Sequence, residues 1–431
     1  METEELLPIE ILESEDEPDP LLASTLQLEH AAHYLDLEDW ILYRLRQSER
    51  EIALNLRITR TGGETAGFGG LRVQHHTGGM PTLGPVRLAR DADPHWTRAA
   101  AMEATWQLSL LALPFGGAAG SILCEPAELG ERELQELVRS YGAGLNGLAG
   151  PFSDVLVPGS GCNEQVMAWL ALTALQLKPQ ADPQCLAAVV GKPAALWGVP
   201  EYYGAVAAGV VSLLHLAPVE KWTSGSLRGR RVSIQGFGAV GGTVARLLSR
   251  EGVQLIAAAD TSGGIYSSAG LDTEALAKYL EHEGILFGFP GAEAVRNRDV
   301  LETEADVLVL AAAEKQITLA NARRIQAPVV IEASHGAVTH AAEGQLAARG
   351  ITVIPWLVAG AAAMIAAHHE WVQNTHPECG VQELRAAIDS RLQQLYAKVS
   401  TAAKEHGTSF AHAALVVAIA RVAEQMRLAS T

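Results

Sequence analysis

Positive charge is the feature that this sequence most lacks. No lysine occurs before Lys178, and 49 acidic residues outnumber 32 lysines and arginines, which gives a net charge of −17 over 431 residues. A surplus of negative charge repels a phosphate backbone. We therefore expect no nucleic-acid partner.

Cysteine and long apolar runs are also scarce. Charged residues or Gly/Pro positions interrupt every apolar run before it could cross a bilayer, and the N-terminus is acidic, unlike a secretory or transit peptide. The cysteines lack the spacing of metal ligands, which predicts reduced thiols and no metal site. They are Cys124, Cys162, Cys185 and Cys379. These absences predict a cytoplasmic protein with no membrane partner.

The length and composition suit a protein with two cores. Apolar residues make up 48% and charged residues 19% of the chain, as in compact globular proteins. The patterns described below predict four segments. These are an acidic tail (1–20), a substrate and oligomerisation domain (21–195), a Rossmann-like domain (196–358), and a helical segment that packs on the first domain (359–431).

The predicted first domain mixes helices with strands. Helical spacing covers 28–50, 96–112 and 131–148, and a strand is predicted at 71–74. Glycine-rich stretches at 62–70 and 77–85 predict a connector and turns, and 113–121 predicts a loop. Gly116, Gly117 and Gly120 are expected to serve the backbone turn of that loop.

The second half of the chain alternates strands with helices. Apolar runs at 231–235, 255–259, 307–310, 329–332 and 353–354 predict strands, and helical patterns lie between them. This alternation is typical of a doubly wound parallel α/β sheet. The pattern from 359 onward is mostly helical.

A dinucleotide-binding motif follows the first of these strands. Gly236, Gly238 and Gly241 fit GxGxxG at the start of a helix, and Asp260 ends the next strand about 20 residues later. The glycines permit a tight turn, the helix N-terminus can receive a pyrophosphate, and the carboxylate can accept from ribose hydroxyls. A Rossmann fold retained only as structure is the alternative reading of this motif.

Ordered blocks along the chain resemble the glutamate/leucine/phenylalanine/valine dehydrogenase family, and most closely glutamate dehydrogenase. The resemblance runs from about residue 32 to the C-terminus. Its blocks are 72–75, 84–87, 113–121, 167–169, 191–193, 235–241, 260–266 and 370–374. It implies the oxidative deamination of glutamate, or the reverse, with hydride transfer to a nicotinamide.

The same resemblance locates five positions that carry the chemistry of the family, and each has lost its functional group. The two substrate-carboxylate lysines align with Leu83 and Gln107, the catalytic lysine with Ala119, the catalytic aspartate with Gly159, and the carboxylate-binding serine with Ala367. One general acid or base contributes about 10²- to 10⁴-fold in rate. The resemblance therefore implies no catalytic residues and a chain that is not an enzyme on its own.

Two cofactor-binding blocks also depart from the family pattern. Val206 stands where a hydroxyl is expected, and His335 replaces an asparagine. We therefore expect no required cofactor, with Gly236, Gly238, Gly241 and Asp260 as vestiges of NAD(P) binding. The histidine pairs His75–His76 and His368–His369 could move protons in principle, but a packing or hydrogen-bonding role is favoured for His75.

The resemblance implies a role exerted through assembly. We expect a regulatory subunit that joins a catalytic glutamate dehydrogenase subunit in a hetero-hexamer and mediates allosteric activation by a hydrophobic amino acid such as leucine. Two alternatives stay open. One is an active NAD(P)-dependent amino-acid dehydrogenase with an altered substrate, and the other is a nucleotide or amino-acid sensor with an unrelated partner.

Overall fold

The computed structural model of the chain describes residues 19–91, 93–177, 183–217, 226–379 and 383–430. The predicted acidic tail lies almost entirely outside these residues. The chain divides into two compact units. The sheet unit holds the described parts of 19–203, 363–387 and 415–430, and the dinucleotide unit holds those of 204–362 and 388–414.

The sheet unit is built on one mixed five-stranded sheet with the strand order β1-β2-β4-β3-β5. β2 pairs antiparallel with both β1 and β4, whereas β3 runs parallel to both β4 and β5. Its elements are α1 (Pro20–Ala32), α2 (Asp39–Leu45), β1 (Arg50–Thr59), β2 (Thr65–His76), β3 (Thr82–Ala89), α3 (Pro94–Leu110), β4 (Gly116–Leu123), α4 (Glu131–Gly144), β5 (Asp154–Pro158) and α5 (Glu164–Gln176).

The two faces of this sheet carry different helices. α3 covers one face, and its start is fixed because Asp93 accepts a hydrogen bond from the Trp96 amide at 2.7 Å and Pro94 opens the first turn. The opposite face packs against α4 and α5 in one large apolar cluster. Because side chains alternate along a strand, neighbouring residues of β4 face different helices.

Several predictions for this unit were wrong. The predicted helix over 28–50 is interrupted, since α1 ends at Ala32, Asp36 has a positive φ of 43°, and the chain is already in β1 at Arg50. The glycine-rich stretch 62–70 is mostly strand, because β2 pairs with β1 from Thr65 onward. The turn-rich stretch 77–85 gives way to β3 at Thr82.

The dinucleotide unit contains the predicted parallel α/β sheet, with seven strands in the order β12-β11-β10-β6-β7-β8-β9. The predicted strands are confirmed, and an antiparallel extension of β8 and β9 was not predicted. Its elements are α6 (Ala205–Leu216), β6 (Arg231–Gln235), α7 (Ala239–Arg250), β7 (Gln254–Asp260), β8 (Gly263–Tyr266), α8 (Thr273–Glu283), β9 (Glu293–Val295), α9 (Asn297–Leu301), β10 (Val307–Leu310), β11 (Val329–Glu332), α10 (His340–Ala348), β12 (Thr352–Ile354) and α11 (Trp356–Ala359).

Three helices complete the chain: α12 (Ala361–Thr375), α13 (Leu384–His406) and α14 (Phe410–Ser430). Residues 363–387 and 415–430 belong to the sheet unit, whereas 388–414 belong to the dinucleotide unit. Among the described helices, none is long and apolar enough by itself to span a membrane. α13 and α14 pass that test only as a pair, bent by 102°.

Candidate functional site

Leu83 and Ala119 lie on the face of the sheet that α3 covers. Leu83 is in register with Gly117, and Ala119 with Val73 of β2, so the side chains at 83 and 119 point to the same side. Ala119 packs in a cluster with Trp96 and Ala100 of α3. Both Leu83 and Ala119 are fully buried. A substrate carboxylate at these two side chains would be buried beside apolar groups, which is strongly unfavourable.

Gln107 and Ala367 lie on two different helices, α3 and α12. Gln107 is buried on α3, the helix that covers Ala119. Ala367 is buried on α12 and precedes His368, whose ring contacts that of Phe115 at 6.2 Å immediately before β4. Leu83, Gln107, Ala119 and Ala367 are thus all buried, and none of the four carries a charged side chain.

Gly159 has no room for a side chain. Its amide donates to the Val86 carbonyl at 2.9 Å, where the chain leaves β5. A Cβ at position 159 would lie 2.6 Å from the Val86 oxygen and 3.2 Å from the Pro85 Cβ. The first of these is a backbone atom in the middle of a sheet, so an aspartate at 159 requires a backbone shift.

The block 113–121 was predicted to form a loop around a glycine turn, and this is wrong for most of it. Gly116 begins β4, and the block continues as a strand. Its glycines serve close packing: a Cβ at Gly117 would overlap the backbone nitrogen of Thr105 in α3, and a Cβ at Gly120 would overlap the Tyr141 hydroxyl. These glycines are therefore explained without any catalytic role.

Arg72 crosses the sheet at Gly120, its register partner on β4. The guanidinium binds Asp154 of β5 through two bonds, with Nε–Oδ2 at 2.9 Å and Nη2–Oδ1 at 2.6 Å. Nη1 donates to the carbonyls of Gly84 and Pro85, and Nη2 also donates to that of Val155. All five N–H donors are used. Arg72 is therefore a structural tie between β2, β3 and β5.

A second buried ion pair joins two of the family-like blocks. The Lys192 amine lies 2.7 Å from Glu370 Oε1, and both side chains are fully buried. Glu370 Oε2 accepts from the amides of Gly191 and Val199, and Lys192 also donates to the Val189 carbonyl. Burial lowers the pKa of Lys192, and the adjacent carboxylate opposes that shift. Both residues lie in blocks that carry the family resemblance, 191–193 and 370–374, but the sequence did not predict that these blocks meet.

Aromatic rings surround Trp371 on α12. Phe115 and Phe152 contact its ring edge-on at 5.1 and 5.9 Å, and His368 stacks on it at 6.1 Å. The Trp371 indole donates to the Pro151 carbonyl at 2.7 Å. His368 therefore lies among rings, and burial lowers the pKa of its neighbour His369.

The other histidine pair is held by hydrogen bonds. The ring of His75 bonds Thr105 Oγ1 and the Leu45 carbonyl, each at 2.8 Å, and burial lowers its pKa to about 4. His76 lies 3.2 Å from Glu49, and this bond holds the pKa of the Glu49 carboxyl near 2. The geometry of His75 is that of a buried, hydrogen-bonded residue.

The glycine turn after β6 has the geometry of a dinucleotide site. Gly236 has a φ of 87°, and a Cβ there would lie 2.5 Å from the backbone of Ala311 after β10, at the switch point of strand order. A Cβ at Gly241 would overlap the Gly236 carbonyl, whereas Gly238 faces open space within 4 Å. The arrangement fits a pyrophosphate at the N-terminus of α7.

Asp260 stands at the end of β7, as the motif predicts. Its carboxylate accepts from the amides of Ser262 at 2.7 Å and Leu286 at 2.8 Å and from the Ser262 hydroxyl. A carboxylate offers about four acceptor sites, so capacity for a ribose hydroxyl remains. Val206 is partly buried on α6, and His335 lies 3.5 Å from Glu314. Among the described residues there is no cluster of His, Cys, Asp or Glu that could hold a metal ion.

The glycine turn, the switch point and the sheet unit define the class of protein: a two-domain α/β dehydrogenase. Two family models match the chain. Residues 198–429 match Glutamate/Leucine/Phenylalanine/Valine dehydrogenase, and residues 48–175 match its dimerisation domain. The chain belongs to this family, as its sequence blocks predicted.

The relatives are similar over nearly their whole length. Glutamate dehydrogenase A2 of Halobacterium salinarum is 32% identical over 95% of this chain and 97% of its own. Glutamate dehydrogenase of Thermotoga maritima is 32% identical over 92% of this chain and 95% of its own. The structure of hetero-hexameric glutamate dehydrogenase from Thermus thermophilus, in its Leu-bound form, has a TM-score of 0.88 and 33% identity over 96% of this chain and 98% of that one.

These comparisons overturn two predictions. The expectation that the chain is not an enzyme on its own is wrong, because relatives about 32% identical over almost the full length are named glutamate dehydrogenase. The expectation that no cofactor is required is also wrong, because the family is one of NAD(P)-dependent dehydrogenases. Both errors came from giving the substituted positions more weight than the intact glycine turn.

Proposed function

We propose that this chain is a subunit of a hetero-oligomeric glutamate dehydrogenase and makes the complex responsive to a hydrophobic amino acid such as leucine. The observation that carries the proposal is the replacement of charged and hydroxyl groups by apolar side chains at the substrate positions. Leu83, Ala119 and Ala367 are fully buried and apolar, so they favour an uncharged side chain over the second carboxylate of glutamate.

The similarity to the Thermus complex supports the same proposal. That structure is hetero-hexameric and contains leucine, and it matches this chain over 96% of its length. A regulatory subunit acts by population shift: the effector binds one state of the assembly more tightly and so favours it. A coupling of about 1–3 kcal/mol changes the affinity of the partner for its substrate by about 5- to 150-fold.

Within this proposal, the dinucleotide unit binds NAD(P). Gly236, Gly238 and Gly241 would form the pyrophosphate turn at α7, and Asp260 would accept from the ribose hydroxyls. The nicotinamide, when bound, accepts or supplies a hydride. The chain's own residues would hold the rest of the dinucleotide. The glycine turn carries no side chains and so leaves room for the pyrophosphate, and the bonds of Asp260 to Ser262 and Leu286 fix the carboxylate.

Co-expression with a glutamate dehydrogenase of the same organism tests the proposal. We expect mixed oligomers in native mass spectrometry and glutamate-dependent formation of NAD(P)H that leucine stimulates. The partner expressed alone is the control. If the partner alone responds equally to leucine, or if only homo-oligomers form, the proposal fails.

A second candidate is an active NAD(P)-dependent amino-acid dehydrogenase with an altered substrate. The full-length similarity to proteins named glutamate dehydrogenase favours it. With Leu83 and Ala367 in place of groups that bind a carboxylate, the substrate would be an amino acid with an uncharged side chain. Reduction of NAD(P) by the purified chain with a panel of apolar amino acids would support this candidate.

A further inference from the structure

A glutamate and a histidine form a pair at the carboxyl ends of β10 and β11. Glu314 follows β10 and His335 follows β11. His335 Nδ1 lies 3.5 Å from Glu314 Oε1, and the exposed fractions of the two side chains are 30% and 34%. The pair is therefore partly shielded from water and still open to a ligand. Neither residue belongs to the glycine turn after β6.

Hydrogen bonds between the two segments fix the backbone around the pair. The Lys315 amide donates to the Gly336 carbonyl at 2.8 Å, and Ser334 Oγ donates to the Leu310 carbonyl at 3.2 Å. Lys315 has a positive φ of 55°, which is uncommon for a residue other than glycine. Strain of this kind persists only where the surrounding structure enforces it, and it clusters at functional sites. The backbone thus holds the two side chains next to each other.

The pair lies on the side of the glycine turn opposite to Asp260. β6 is the central strand, with β7 on one side and β10 and β11 on the other. A Cβ at Gly236 would meet the backbone of Ala311, three residues before Glu314. In this fold each half of a dinucleotide occupies one half of the sheet, and the acid after the second strand binds the adenosine ribose. The nicotinamide half would therefore lie on the β10 side, where Glu314 and His335 stand.

We propose that Glu314 recognises the positive charge of an oxidised nicotinamide and that protonation of His335 switches this recognition off. The inference rests on the proposed binding of NAD(P) by the dinucleotide unit. An oxidised nicotinamide ring carries a positive charge, and a reduced ring carries none. A partly buried carboxylate attracts a cation more strongly than a carboxylate in bulk water does. A protonated histidine beside the carboxylate cancels that attraction, so the pair selects between oxidised and reduced nucleotide.

The charged groups around the pair decide how pH acts on it. On the segments that adjoin it, the other charged or titratable residues are Lys315, Glu332, His340 and Glu343. Glu332 accepts from the amides of Val338 at 2.6 Å and Trp356 at 2.8 Å, so it is engaged with the backbone. Lysine and glutamate ordinarily keep their charges between pH 6 and 8, whereas histidine changes its charge in this range. A pH effect on nucleotide binding is therefore assigned to His335, and His340 is the residue to control for.

Nucleotide affinity at two pH values tests the proposal. NAD⁺ is titrated into the purified chain by calorimetry and NADH by fluorescence, each at pH 6 and pH 8. We expect NAD⁺ to bind roughly fivefold more tightly at pH 8, because His335 is then neutral, and NADH to bind equally at both. Binding of NAD⁺ at pH 7 should also release protons, seen as a binding enthalpy that depends on the ionisation enthalpy of the buffer. The same pH dependence for both nucleotides would overturn the proposal.

Two variants and two matched controls assign the effect to the pair. Glu314→Gln should weaken NAD⁺ binding at pH 8 by roughly fivefold and leave NADH binding unchanged. His335→Asn should remove the pH dependence and keep the affinity for NAD⁺ at its pH 8 value. Glu304→Gln, before the amino end of β10, and His340→Asn, at the start of α10, should bind both nucleotides like the wild type.

The outcomes separate this inference from the proposed function. Equal losses of NAD⁺ and NADH affinity in Glu314→Gln, or a pH dependence that survives in His335→Asn, would refute the charge recognition and leave nucleotide binding intact. A wild-type chain that binds neither nucleotide would refute the proposed nucleotide binding and this inference together.

Discussion

Restoring a side chain at position 159 should destabilise the sheet unit. A Cβ there would lie 2.6 Å from the Val86 carbonyl oxygen, 3.1 Å from the Val86 carbonyl carbon and 3.2 Å from the Pro85 Cβ. These are sheet atoms rather than the flexible end of a side chain, so the backbone must move. Overpacking of this kind costs about 1–3 kcal/mol.

We therefore expect Gly159→Ala to lower the Tm of the purified chain in differential scanning calorimetry. One kcal/mol corresponds to about 2–4 °C for a domain of 150–250 residues, so the expected decrease is about 2–12 °C. Gly159→Asp should lower the Tm at least as much, because it adds a carboxylate to the same site.

The matched control is Gly67→Ala. Gly67 lies in the same unit, on β2, and a Cβ there meets nothing within 4 Å. The Tm of this variant should be unchanged or slightly higher, since replacing glycine with alanine reduces the entropy of the unfolded chain. An unchanged Tm for Gly159→Ala, or glutamate turnover gained by Gly159→Asp alone, would refute the steric reasoning.

Three further predictions follow from the buried groups and the glycine turn. Gly238→Ala should fold normally and lose binding of NAD(P)H, measured by fluorescence titration, whereas Gly236→Ala should lower the Tm because its Cβ would meet backbone at 2.5 Å. Asp154→Asn should cost about 3–5 kcal/mol in urea unfolding because it leaves the Arg72 charge buried, and the double variant Arg72→Met/Asp154→Leu should cost less. Burial lowers the pKa of His75 from 6.5 to about 4. The contribution of neutral His75 to the stability of the fold is therefore complete above pH 6.5 and decreases as the pH falls toward 4. The decrease amounts to about 3 kcal/mol, and His75→Gln should flatten the dependence of Tm on pH between about 7 and 5.

The dinucleotide unit was the more predictable half of the fold. Strands β7, β10 and β11 contain continuous apolar runs, as expected for a parallel sheet covered on both faces, and a pattern of that kind is local in sequence. The predicted strand at 307–310 matches β10 without error. The short strands β8 and β9 were missed because their pairing with each other and with β7 decides their structure.

The sheet unit shows why glycine misleads. Glycines in β2 and β4 indicated a connector and a loop, yet both segments are strands. Gly117 lacks a side chain because α3 packs directly on it, and Gly120 because Arg72 and Tyr141 cross there. Close approach between elements distant in sequence leaves no local pattern, so the sequence alone could not distinguish a packing glycine from a turn glycine.

The resemblance to the family selected the candidate site positions but not their surroundings. It selected Leu83, Ala119 and Ala367, and each of these side chains is fully buried in the structure. It could not indicate that Gly159 is closed by Val86, or that Lys192 and Glu370 form a buried pair close to Trp371 on α12. These contacts join residues far apart in sequence, and only the packed fold defines them.

The most direct measurement of the central claim compares a glutamate dehydrogenase purified with and without this chain. We expect mixed oligomers, together with glutamate-dependent NAD(P)H formation that leucine stimulates only when this chain is present. A partner that shows the same leucine response without this chain, or preparations that contain only homo-oligomers, would contradict it.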